Sequence, residues 1–119
     1  MNDFQSVFQS LRTILQKHQA ELVLIHDQPE YYYLNFHQTR KDGYQSFFGS
    51  VQIKKNYVSY HLMAVYAYPE LLEGISEALK KRMQGKSCFN FKKPEPELQI
   101  ELENLTAKGL EKFKEAGLR

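Results

Sequence analysis

The sequence predicts an α+β fold: a mostly antiparallel sheet of about five strands packed against helices at both ends of the chain. Three observations predict it. Apolar residues open the chain at helical spacing, with Phe4, Phe8, Leu11 and Leu15 at i, i+4, i+7 and i+11. The stretch from Leu22 to Ala64 changes to a period of two and is rich in aromatic and β-branched residues. The end of the chain returns to helical spacing at Leu98, Leu102, Leu105, Gly109 and Phe113.

The first helix is widened by Val7 and Ile14 and fades around Lys17 to Ala20, with Asn2 and Gln5 as a capping pair. Leu22 to Ile25 then reads as a strand. Asp27-Gln28-Pro29 breaks the chain, and Tyr31 to Phe36 reads as a second strand. His37 to Gly43 is polar and reads as a loop. Tyr44 to Ile53 and Tyr57 to Ala64 form a second hairpin around Lys54-Lys55-Asn56, with Asn56 suited to a left-handed conformation. In its second strand Val58, Tyr60 and Leu62 point one way, Ser59 and His61 the other.

Pro69 suits the first turn of a helical region whose buried side is Leu71, Leu72, Ile75, Leu79 and Met83. Gly74 suggests a break, Ser76 a cap on a second short helix running to Gln84, and Gly85 the glycine after its end. Ser87 to Lys92 reads as a fifth strand with Phe89 and Phe91 inward; because it follows a helical crossover, parallel pairing is open to it. Pro94 and Pro96 stiffen a connector, and a helix from Pro96 to Ala116 closes the chain, acidic in its first half and basic in its second. The expected order is thus α-β-β-β-β-α-β-α in one domain spanning residues 1–119.

The 119 residues are an ordinary length for one domain, and 42% hydrophobic content supplies a core. A formal net charge of +2 is close to balance, so nucleic acid is not favoured as a partner. Cys88 is the only cysteine, which excludes an internal disulfide and fits a reducing compartment. No basic start followed by an apolar run opens the chain. No stretch reaches the roughly 18 apolar residues of a membrane span. A cytoplasmic protein without a membrane partner is the expectation.

No residue pattern spells out a reaction. Cys88 lies in a strand context without a nearby histidine and reads as a packing residue. His18, His26, His37 and His61 form no HxH or HxxxH pair, and no CxxC exists. There is no glycine-rich phosphate loop and no GxSxG. His61 shares a strand face with Ser59, which reads first as the solvated face of a half-buried sheet. Glu97 and Glu101 stand one helical turn apart, close enough to share a hard cation, although a helix start also favours acids through its dipole.

Basic residues cluster at Lys54-Lys55, at Lys80-Lys81-Arg82 with Lys86, and at Lys92-Lys93. Each cluster has a plain reading as a solubility feature. Converged, they would bind an anion, with Tyr57, Tyr60 and Phe89 as stacking surfaces.

Three phrases carry a family resemblance: residues 27–34 (DQPEYYYL), 48–62 (FGSVQIKKNYVSYHL) and 84–91 (QGKSCFNF). On them the chain resembles the YdhG-like family of bacterial domains of unknown function. The resemblance implies a compact α+β domain with an antiparallel sheet, compared in shape with frataxin, and some members are proposed as intracellular iron chaperones. An iron site of that kind rests on an acidic ridge at the first helix. Here that region offers Asp3 and Glu21 with Arg12 and Lys17 between, so no metal ligand and no cofactor is assigned. The resemblance instead singles out Lys54, Tyr60, His61, Lys86 and Phe89 as residues expected to line one ligand-binding cleft between sheet and helices.

The functional expectation is a non-enzymatic binding module for a small anionic ligand or a protein partner. An iron-binding protein of the frataxin-like kind is the alternative. Exposed tyrosines and a sheet edge would support a homodimer.

Overall fold

A computed structural model describes residues 4–39, 43 and 45–118. Helix α1 (Phe4–Gln16) turns Val7, Phe8, Leu11, Ile14 and Leu15 inward, as the spacing predicts. Asn2 of the expected capping pair lies outside the described residues; Gln5 instead donates from Nε2 to the Pro29 carbonyl at 2.8 Å. Strands β1 (Val23–Gln28), β2 (Tyr31–Thr39), β3 (Gln45–Ile53) and β4 (Val58–Leu62) follow in meander order. Strand β2 runs through residues expected as loop, and Tyr44, expected to start the third strand, lies outside the described residues. The β3–β4 turn is closed by the Lys54 N–H donating to the Tyr57 carbonyl at 2.8 Å. Asn56 keeps a negative φ, because a turn spread over residues 54–57 needs no left-handed position.

The helical region begins directly after β4, six residues before Pro69, as α2 (Met63–Ala67). Pro69 instead opens a 3-10 helix reaching Gly74. Ser76 caps α3 (Glu77–Lys80) as predicted, its Oγ accepting from the Leu79 N–H at 3.1 Å. That helix ends four residues earlier than expected. Strand β5 (Met83–Gln84) takes up the difference, and β6 (Cys88–Phe91) follows it. Gly85, at φ 75°, therefore serves the turn between β5 and β6 and not a helix end. Helix α4 (Pro96–Glu115) closes the fold.

The sheet has six strands, in the order β1-β2-β3-β4-β6-β5, where five were expected. Every pairing is antiparallel. The short strand β5 reverses the chain before it returns beside β4, so the parallel option for Phe89 and its neighbours is corrected.

One hydrophobic core joins sheet and helices. Across it, Tyr32, Val51, Tyr60 and Phe89 are register neighbours on β2, β3, β4 and β6, each fully buried. Phe36 meets Phe113 of α4 edge-on at 5.1 Å. Helix α4 also approaches α2 closely: a Cβ on Gly109 would lie 2.4 Å from the Ala64 Cβ. The helices thus lie on one side of the sheet, linked to one another and to the same core. Among the described residues no helix is long and apolar enough to cross a membrane.

Candidate functional site

The five residues expected to share a cleft are divided by the sheet. Tyr60 and Phe89 alternate inward with Val58, Leu62 and Phe91 and are 0% exposed, beneath α4. The Tyr60 hydroxyl reaches Thr106 Oγ1 at 2.6 Å, and burial pushes its phenol well above the usual range. His61 points to the opposite side, tilted against the Phe47 ring at 4.7 Å. Burial lowers its pKa below 6.5 and so favours the neutral ring.

Lys54 and Lys86 are exposed at opposite ends of the strands. Val58 pairs with Phe91 at one end and His61 with Cys88 at the other, so about five residue rises, roughly 16 Å, separate them. Lys86 lies 6.0 Å from the Tyr66 ring centroid, where a cation–π contact holds it. The five positions therefore line no common cleft, because period-two alternation sends neighbouring residues to opposite faces.

A different cleft gathers two of the basic clusters. It occupies about 640 Å³ between the end of α3, the β5–β6 hairpin and the connector into α4. Lys81 and Arg82 enter from the turn after α3; Lys92 and Lys93 enter from the turn after β6; Tyr57 lines the wall at the start of β4. The β5–β6 hairpin brings these segments together, and the Asn90 N–H donates to the Arg82 carbonyl at 2.7 Å.

Charge in the cleft is unbalanced. Arg82 grips Glu95 with two hydrogen bonds, Nε at 2.6 Å and Nη2 at 2.7 Å. The guanidinium holds the Glu95 carboxyl below the usual range, and the carboxylate raises Arg82 in turn. Among the described residues Lys81, Lys92 and Lys93 are in no close ion pair, although Lys93 helps to hold the Glu95 carboxyl low. Four cations and one carboxylate leave a formal charge of +3 along the lining.

One polar group in the lining is also unfulfilled. Asn90 Nδ2 donates to Gln84 Oε1 at 2.6 Å, while Asn90 Oδ1 is buried without a hydrogen-bond partner. A buried acceptor left open costs about 1–3 kcal/mol.

The remaining candidates are placed elsewhere. Lys54 and Lys55 flank Tyr57 in sequence without lining the cleft, and Lys80 lies 3.4 Å from Glu77. Glu101 is engaged by Ser76, accepting from its N–H at 2.9 Å and from Oγ at 2.5 Å. Among the described residues no three His, Cys, Asp or Glu side chains stand together as a metal site.

Sequence reasoning named the basic clusters and Tyr57 but missed Asn90 and Gln84. The available signal was alternation: Asn90, between inward Phe89 and Phe91, faces the same way as Gln84 across the β5–β6 pair. In comparisons with known proteins, no protein family, curated protein or solved structure matches the chain.

Proposed function

We propose that this protein is a binding module that takes a small anionic ligand in the cleft between the β5–β6 hairpin and the connector into α4. The observation that carries the reading is the convergence of Lys81, Lys92 and Lys93, none in a close ion pair among the described residues, around Tyr57. Lysines supply the charge attraction. Tyr57 offers a ring edge or face for a planar group. A phosphorylated sugar or a nucleotide has this chemistry.

A thermal-shift series tests the reading, with inorganic phosphate, pyrophosphate, ribose 5-phosphate, adenosine diphosphate and uncharged adenosine as probes. A ligand at one hundred times its dissociation constant adds about 2.7 kcal/mol, on the order of 10 °C for a chain of this size. The expected result is stabilisation by the phosphorylated compounds and none by adenosine. Equal behaviour of all five, or no shift with any, contradicts it.

A further inference from the structure

The side of the sheet away from the helices carries a continuous run of rings. His26 stacks on Tyr31 at 4.7 Å; Tyr31 meets Tyr33 edge-on at 5.8 Å; Tyr33 leans on Phe47 at 4.8 Å; Phe47 leans on His61 at 4.7 Å. These rings span four adjacent strands, β1 to β4, and are half-buried by one another. Their strand neighbours Tyr32, Val51 and Tyr60 face the other way, into the core shared with the helices.

The charge distribution on this face is distinctive. The chain has 16 Lys and Arg and 14 Asp and Glu. Yet across β1 to β4 the register rows run His26–Tyr33–Ser50–His61 and Tyr31–Gln52–Ser59, without one of those side chains; charge returns at the β5–β6 hairpin, where Asn90 lies beside Arg82. Lysines stand only beyond the strand ends. Solvated sheet faces ordinarily alternate with charge, and edges use lysine to discourage association. Asn35, on the same face, also buries Oδ1 without a partner.

We propose that this uncharged aromatic face docks against the same face of a second copy of the chain. A two-fold interface must complement itself, and a surface without fixed charge does so without like-charge opposition. Its lack of cations argues against a nucleic-acid backbone as the occupant. Four strands about 4.8 Å apart, over about six residue rises, give roughly 400 Å² per copy, or about 800 Å² in total. That is smaller than a stable interface, so the association is transient, with a dissociation constant on the order of 100 µM. The anion cleft lies at the β5–β6 end of the sheet, beyond the four ring-bearing strands, so the two proposed surfaces use different residues.

Sedimentation velocity from about 1 µM to 1 mM tests the proposal on the whole chain. The expected result is a concentration-dependent shift from monomer to dimer, insensitive to salt. Gln52→Lys places a charge on the face between Tyr31 and Ser59 and weakens association at least tenfold; circular dichroism verifies that the variant folds. The chain has no Trp, so Phe47→Trp supplies a second readout, a blue shift in emission with rising concentration. A monomer at every concentration overturns the proposal. So does a dimer that Gln52→Lys leaves intact, or a monomer whose Phe47→Trp emission responds to single-stranded oligonucleotide.

Discussion

The Tyr60 hydroxyl lies 2.6 Å from Thr106 Oγ1, both side chains 0% exposed, joining the central strand β4 to helix α4. This is the one side-chain hydrogen bond among the described residues that is buried at both ends between sheet and helices. Removing either partner strands the other in the core. Tyr60→Phe and Thr106→Val are each expected to cost about 1–3 kcal/mol in urea unfolding. The double variant should cost less than the sum of the two, because no polar atom is then left unpaired. Strict additivity would show that the two hydroxyls do not depend on each other.

Gly109 sits where α4 passes α2. An added Cβ would come 2.4 Å from the Ala64 Cβ, an atom fixed to the backbone that no rotamer can move aside. Gly109→Ala gains up to about 1 kcal/mol of helix propensity, while overpacking costs about 1–3 kcal/mol. A net destabilisation is expected, read as a lower urea midpoint. Pairing it with Ala64→Gly should recover part of the loss.

Glu95 is the carboxylate that offsets Arg82 in the cleft. Glu95→Gln removes one negative charge and frees the guanidinium, so anion affinity is expected to rise several-fold at low salt and to approach wild type at high salt. Stability should fall by about 1 kcal/mol or less, since the pair is partly exposed. Titration of ribose 5-phosphate into both proteins at two ionic strengths checks the direction. An affinity that falls would place the ligand elsewhere.

His61 and His18 both have pKa values held below 6.5, chiefly by burial. As pH falls below 6.5 the unfolded chain takes up protons that the folded chain still excludes. The unfolded state then binds more protons, and stability falls with pH from about 6.5 downward. His61→Gln should flatten the dependence of the urea midpoint between pH 7 and pH 5, leaving the share of His18. An unchanged slope would mean that His61 titrates alike in both states.

Much of the architecture is legible in the chain because two periods differ so clearly. Phe8, Leu11 and Leu15 state a helix; Val58, Tyr60 and Leu62 state a strand with one face inward. Other features are silent for physical reasons. Strand β5 is two residues long and too short to show a period. Gly85 meets the same need for positive φ whether it ends a helix or turns a hairpin, so its local signal has two meanings. The reversal that makes β6 antiparallel rests on that choice. Alternation in Tyr31, Tyr32, Tyr33 and Leu34 marks two faces without saying which one the helices cover. The basic clusters are visible as clusters, but whether Lys81 meets Lys93 depends on the hairpin. The grouping of Lys54, Tyr60, His61, Lys86 and Phe89 followed nearness in sequence, which in a strand separates side chains as often as it joins them.

The most direct test of the cleft is a calorimetric titration of ribose 5-phosphate and adenosine diphosphate into wild type and into Lys81→Ala/Lys92→Ala/Lys93→Ala. All three lysines are exposed, so the variant is expected to fold with nearly unchanged stability. The account predicts binding to wild type that weakens with salt, and at least a tenfold loss in the variant. Equal affinity in the two proteins, or no binding to wild type, would contradict it.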